Sequence, residues 1–308
     1  KNIPQLPLHV STQANVLNSE AALFYHEAFN VERIILAREL TLEQIKEMRK
    51  TLPEKLQLEA FVHGAMCMAY SGRCLLSNAL TGRGGNQGEC AQSCRWKYSL
   101  VEAKRPGEEI PIYEDENGTY LLSSYDMCML PYLPDLVNSG LSSLKIEGRM
   151  KNEYYVATVV AAYRKALDAL YESEEKFNNL LPLLMLELDK VGHRATNTGF
   201  YYGNPEPPAG AKGVMQSMEY VGKINTAALA NEEAAVTLKN RFFVGDKLEV
   251  VSPDGIYDYS PEYIKLEKDG SLVDTYSVAN ETVYLKFPFK VNKGDIIRGP
   301  NRNHRFSV

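Results

Sequence analysis

The sequence is 308 residues long, 44% hydrophobic and 24% charged, with a net charge of −5, a composition ordinary for globular proteins. No run approaches the roughly 20 apolar residues of a membrane helix and no apolar leader opens the chain, which disfavours membrane-spanning and secreted classes and sets the expectation of a cytoplasmic protein. Residues 212–308 carry 13 Lys+Arg against 13 Asp+Glu, so the negative balance resides in residues 1–211 and the totals announce no large nucleic-acid-binding face.

In chain order, strand and helix patterns alternate. Residues 6–10, 33–37, 56–62, 120–123 and 144–146 are apolar runs short enough to be buried parallel strands. Ser19 reads as the N-cap of a helix over 20–29. Thr41, with Gln44 three residues on, reads as a capping box for a helix over 42–51. Residues 131–138 form a short helix stopped by Gly140, and 152–171 a long one with Tyr155, Val159, Ala162 and Ala166 on its inner face. A further helix spans 180–191, with Pro182 in its first turn. Repeated β-α units imply a parallel sheet with right-handed crossovers. Only five units are present where a (β/α)8 barrel has eight, and the first residue is Lys1, so the expectation is a TIM-like barrel lacking about three units at its start.

Residues 199–213 are rich in Gly and Pro, as linkers are. From Tyr220 onward six short strands are predicted, at 220–224, 234–238, 247–251, 257–264, 282–287 and 296–298. Asp254-Gly255 and Asp269-Gly270 are placed at hairpin turns, which together suggest a small antiparallel β-barrel. The domain plan is therefore residues 1–175 for the incomplete α/β barrel, 176–212 for a helix and linker, and 213–308 for the β-barrel. Arg298, Arg302, His304 and Arg305 read as a solvated basic tail.

Chemistry concentrates in residues 64–96. Cys67, Cys74, Cys90 and Cys94 follow the spacing C-x6-C-x15-C-x3-C, and the fifth cysteine, Cys128, lies 34 positions further on. Four crowded soft donors indicate a metal or redox centre, and neither zinc-knuckle nor ferredoxin spacing fits. Four thiolates suit an iron–sulfur cluster or a tetrahedral zinc, and the spacing leaves both open. The loop follows a predicted strand, so it belongs at the carboxyl end of a β-α unit, where such folds keep their sites. No H-E-x-x-H helix or G-x-S-x-G elbow is present. A Cys–His dyad of Cys67 with His63 or His9 would leave the other cysteines unexplained. His26, on a helix, reads as a surface or packing residue. Lys145, Glu147 and Arg149 alternate onto one strand face, either as an anion-binding set at the site mouth or as a barrel-closing ion pair. Arg73 and Arg83, within the loop, are placed to meet an anionic substrate, and Arg95 with Trp96 could offer a stacking surface for a base.

The run Glu59-x-Phe61-x2-Gly64-Ala65-Met66-Cys67-x4-Gly72-x-Cys74-x-Leu76-Ser77 resembles the signature of the collagenase-like peptidases, peptidase family U32. The segments Leu8-His9-x-Ser11-Thr12-Gln13, 143–149, His193-Arg194 and Thr198-Gly199-Phe200 extend that resemblance along the chain. The family's name implies proteolysis of collagen-like substrates. Several members instead hydroxylate tRNA, rRNA or ubiquinone and carry a 4Fe-4S cluster. Within the family the sequence is most similar to members that hydroxylate wobble uridine of tRNA to 5-hydroxyuridine with prephenate. Carried over, that resemblance implies an enzyme with Cys67, Cys74, Cys90 and Cys94 as ligands, Cys128 being the alternative ligand. It implies tRNA, a small dicarboxylate co-substrate and a related paralogue as partners. The other readings are an endopeptidase and a non-catalytic RNA-binding module with a structural metal cluster.

Overall fold

A computed structural model describes residues 5–67, 69–96, 100–101, 109–110, 125–205 and 214–302. The chain divides into two compact units, residues 1–151, 163–185 and 193–215 in the first, and 152–162, 186–192 and 216–308 in the second.

The first unit begins with β1 (His9–Val10), α1 (Ser19–Phe29), β2 (Arg33–Ile35), α2 (Leu42–Thr51) and β3 (Gln57–Ala65). The cysteine segment contributes α3 (Leu76–Thr81) and is followed by the short hairpin of β4 (Leu100–Val101) and β5 (Glu109–Ile110). Then come β6 (Asp126–Cys128), α4 (Leu133–Val137) and β7 (Ser143–Ile146). Helices α5 (Glu153–Glu172) and α6 (Glu174–Leu188) each straddle the division of the chain, and β8 (Thr196–Asn197) returns to the first unit.

The first unit is a mixed α/β structure. Pairs β1–β2, β2–β3, β3–β7 and β6–β8 are parallel. Strand β3 is buried along nearly its whole length, as the central strand of a sheet covered on both faces must be. Against the all-parallel expectation, β6 runs antiparallel to the end of β3, with Cys128 opposite His63 and Asp126 opposite Ala65. Among the described residues the sheet remains open, with β1 paired only to β2 and β8 only to β6, so no closed barrel is found. The strand expected at 120–123 lies outside the described residues.

The α2 capping box forms as read: Gln44 N–H donates to Thr41 Oγ1 at 3.2 Å and Thr41 N–H to Gln44 Oε1 at 2.9 Å. Helix α1 is capped by Asn18, one residue earlier than expected, because Asn18 is extended and its Oδ1 accepts from Ala21 N–H at 2.8 Å. Helix α6 begins at Glu174, which places Pro182 inside it rather than in its first turn. Pro182 and Asn178 are both exposed, so water can satisfy the carbonyl that the proline leaves without a donor. No described helix is long and apolar enough to cross a membrane.

The second unit holds an antiparallel eight-stranded sheet. Its strands are β9 (Met218–Ile224), β10 (Glu233–Leu238), β12 (Leu248–Ser252), β13 (Gly255–Tyr259), β14 (Ile264–Leu266), β15 (Leu272–Val273), β17 (Thr282–Lys286) and β18 (Ile296–Pro300), in the order β13-β12-β18-β9-β10-β17-β14-β15. A two-stranded pair, β11 (Phe242–Phe243) with β16 (Thr275–Tyr276), flanks it. Among the described residues the path is open at β13 and β15, so in place of the expected β-barrel there is an open sheet with a core that includes Ile224, Val236, Val250, Leu285 and Ile297. The strand expected over 257–264 is two strands, since Pro261 falls between them and cannot donate to a ladder. Ser252 pairs with Gly255, so the first hairpin turns on Pro253-Asp254 rather than on Asp254-Gly255.

The basic-tail reading is corrected at Arg298. Arg298 is fully buried, with Nη2 at 2.8 Å from Glu187 and 2.5 Å from Glu249, and Lys190 joins both carboxylates at 2.7 and 3.1 Å. Arg302 is paired with Asp246, while His304 and Arg305 lie outside the described residues. Removing Arg298 would leave Lys190 alone to balance two partly buried carboxylates. Arg298→Met is therefore expected to lower the unfolding free energy by about 3 kcal/mol, read as a reduced urea midpoint at unchanged slope.

Candidate functional site

Strand β3 carries the chain to the site and loses its regular register there. The β3–β7 pairing slips between Phe61 and His63, the signature of a bulge that re-aims the strand's end. Gly64 follows with φ +105°, and a Cβ on it would sit 2.2 Å from the Glu147 carbonyl oxygen. Only glycine permits this approach of β3 to the segment after β7. The strand ends at Ala65 and the chain enters Met66 and Cys67.

The segment that follows is folded by polar contacts rather than by a core. Ser71 accepts Asn15 Nδ2 on its carbonyl at 2.8 Å, donates its N–H to Glu39 at 2.7 Å, and accepts the Arg38 N–H on Oγ at 3.2 Å. Gly72 lies so close to Gln13 that a Cβ would be 2.0 Å from its carbonyl oxygen. The Asn86 amide brackets Cys74, accepting from its N–H at 3.1 Å and donating to its carbonyl at 2.9 Å. Buried Ser77 accepts from Ala91 N–H at 3.0 Å, and Gln92 N–H donates to Cys90 Sγ at 3.3 Å. At the far end Arg95 donates to Asp126 at 2.9 Å and to the Met66 carbonyl at 3.2 Å. One guanidinium thus ties the residue after Cys94 to the residue before Cys67.

These contacts surround a cavity of about 380 Å³. Cys67, Cys74, Cys90 and Cys94 all line it, together with Gln13, Arg38, Phe61, Lys145, Glu147 and Arg149. The four sulfurs are the residues able to hold a soft metal centre here. Among the described residues no three His, Cys, Asp or Glu side chains converge tightly enough to hold a metal ion; the thiols stand around the cavity. Cys128, the alternative ligand, is buried in β6 and does not line it. Burial pushes the Cys67 thiol up, against the pull of the Ala69 N–H and Arg38, and pushes Cys94 up against the pull of Arg95.

The expected substrate-binding set divides. Lys145, Glu147 and Arg149 share the cavity wall as their alternation implied, but Lys145 is 3.3 Å from Glu59 and Arg149 donates to the Gly88 carbonyl. Arg73 and Arg83 are exposed and do not line the cavity. Arg95 is engaged by Asp126 and is not a stacking platform, whereas Trp96 is 45% exposed. The exposed aromatic on the cavity itself is Tyr70. Neither His9, exposed on β1, nor His63 lines the cavity, so the Cys–His dyad is not assembled. His26 hydrogen-bonds the Val31 carbonyl at 2.7 Å, a packing role.

Arg38 escaped the sequence reading. Its guanidinium lies 4.0 Å from the Phe61 ring centroid and 4.0 Å from Glu147, with its side chain 13% exposed. The available signal was its position as the first charged residue after β2, at the carboxyl end of a strand. Behind the cavity, Asp126 is held below the usual carboxylate range: burial opposes this, and Arg95, Lys151 and the Arg194 N–H outweigh it. His63, 5% exposed and 3.4 Å from Tyr163 Oη, is driven down to about 4 by burial, with His193 and Lys151 adding to the effect against Asp126.

Residues 1–210 match the model of peptidase family U32, and residues 216–298 match that of the family's C-terminal domain. The chain is 34% identical over 334 residues to tRNA hydroxylation protein P of Escherichia coli strain K12, covering 94% of this chain and 71% of the relative. It is 31% identical over 294 residues to the 23S rRNA 5-hydroxycytidine C2501 synthase of the same organism, covering 93% and 41%. It is also 36% identical over 171 residues to a protein named collagenase from Porphyromonas gingivalis, covering 53% and 40%.

His63 sets a pH dependence of stability. The unfolded chain takes up a proton at His63 near pH 6.5, while the fold resists it until about 4. Stability is therefore fully present above 6.5 and falls as pH drops through that window, by about 2–3 kcal/mol. Urea midpoints between pH 7 and 4.5 should show this slope, and His63→Gln should flatten it. Gly64→Ala is expected to lose the fold or most of its stability, read by the same titration.

Proposed function

The chain belongs to peptidase family U32, and from that premise we propose that it hydroxylates RNA, converting the wobble uridine of tRNA to 5-hydroxyuridine with prephenate supplying the hydroxyl group. The observation that carries this reading is the gathering of four cysteines from one loop around one cavity at a strand's carboxyl end. The RNA-modifying names of relatives that match over nine-tenths of the chain support it.

Cys67, Cys74, Cys90 and Cys94 would hold a 4Fe-4S cluster. The donor set suits it: four soft sulfurs, a backbone N–H already directed at Cys90 Sγ, and the Arg95 charge beside Cys94. A cluster there would supply one-electron chemistry, and zinc on the same sulfurs would supply none. The chain's own part is to position. Exposed Tyr70 and Trp96 offer faces on which a base can stack. Arg73 and Arg83 lie outside the cavity, where a phosphate backbone would run, while the cavity admits the base and the small donor.

The endopeptidase reading draws on the family name and the collagenase relative. Against it, among the described residues no histidine lines the cavity to activate a nucleophile. A non-catalytic RNA-binding module with a structural metal would need the same cysteines but would leave RNA unmodified.

Mass spectrometry of tRNA from a strain lacking this gene and its paralogues decides between them. The expected result is loss of 5-hydroxyuridine, restored by the wild-type gene and not by Cys67→Ser or Cys90→Ser. Persistence of the modification would overturn the proposal. Anaerobically prepared protein should bind about four iron and four sulfide. Because the Cys67 and Cys94 thiols are raised, metal uptake must displace their protons. Reconstitution should therefore improve from pH 7 to pH 8.5.

A further inference from the structure

Among the described residues four cationic side chains line the cavity, and three are already engaged: Arg95 by Asp126, Lys145 by Glu59 and Arg149 by the Gly88 carbonyl. Arg38 differs. Among the described residues its guanidinium makes no hydrogen bond, and its nearest carboxylate oxygen, on Glu147, is 4.0 Å away. The Phe61 ring lies 4.0 Å from it, and the side chain lines the cavity. A guanidinium this deeply buried loses much of its hydration, and leaving its donors unused is costly. The fork is also flat and two-pronged, the shape that two oxygens of one carboxylate satisfy together.

A second polar atom in the same cavity lacks a partner. Gln13 Oε1 is buried without a hydrogen bond. An acceptor there is satisfied by a hydroxyl or N–H on the same ligand. We propose that Arg38 is the receptor for the carboxylate of a small organic acid bound in this cavity, with Gln13 taking a hydrogen-bond donor of that acid. The assignment rests on the hydroxylase reading for the identity of the acid, and the cavity of about 380 Å³ suits a small molecule. A nucleic-acid phosphate is the poorer match, because a polynucleotide backbone stays hydrated and Arg38 is only 13% exposed.

The test is calorimetric titration of the full chain with prephenate, with inorganic phosphate and a single-stranded RNA oligonucleotide as comparison ligands. Arg38→Gln should weaken prephenate at least tenfold and Arg38→Lys, which keeps the charge without the fork, several-fold. Gln13→Leu should weaken it less. Iron content, optical spectrum and melting temperature should stay those of the wild type, and RNA binding should not depend on residue 38. If Arg38→Gln fails to fold, Arg38→Lys decides. The proposal is overturned if the wild-type chain binds no prephenate or if the Arg38 variants bind it equally well. It is also overturned if residue 38 governs RNA binding, or changes the iron content while leaving prephenate binding unchanged. Prephenate binding that depends on Arg38, in a chain whose deletion leaves 5-hydroxyuridine intact, would overturn the hydroxylase reading alone.

Discussion

The Arg95 guanidinium is the tie on which the candidate site depends. It joins β6, through Asp126, to the carbonyl just before Cys67 while sitting beside Cys94. The cysteine segment between these points has little apolar core and could not hold its shape by burial alone. Breaking a charge-assisted pair that is 10% exposed on one side and 2% on the other costs far more than breaking a surface ion pair, because the remaining charge is left buried. Asp126 has a second contact from the Arg194 N–H at 3.2 Å. The antiparallel turn of β6 onto β3 places Asp126 within reach.

The rest of the site follows from the same economy of fixed points. The loop after β1 supplies Gln13 and Asn15, the loop after β2 supplies Arg38 and Glu39, and Ser71 is bound to three of these four residues. The carboxyl ends of neighbouring parallel strands thus converge on one segment. That is why a loop rich in glycine can present four sulfurs on a common wall. The glycines do separate jobs: Gly64 lets β3 pass the segment after β7, and Gly72 lets the loop touch the backbone at Gln13.

Much of this was legible in the sequence. The alternation of elements, the Thr41 capping box, the inner face of α5 and the crowding of the cysteines are local patterns, and local patterns survive in a linear reading. The antiparallel direction of β6 was not legible, because its orientation is set by partners in β3 and β8. Arg38 was missed because nothing near it in sequence distinguishes it from other arginines following strands. Arg298 was misread as tail for a related reason: its partners, Glu187 and Glu249, are 111 and 49 positions away. Pro182 was placed in a first turn because the apolar pattern starts late, while the charged residues from Glu174 already belong to α6.

The ties that shape the cavity are long in sequence. Asn15 to Ser71 spans 56 positions, Arg149 to Gly88 spans 61 and Tyr163 to Val62 spans 101. Contacts of that separation cannot form while the chain is still making its local turns and helices. During folding the cavity is therefore a late product, absent until β1, β2, β3 and β7 have found one another. Until then the cysteines are exposed on a slack segment, open to air and to stray metal, and the order in which strands pair decides how long that exposure lasts.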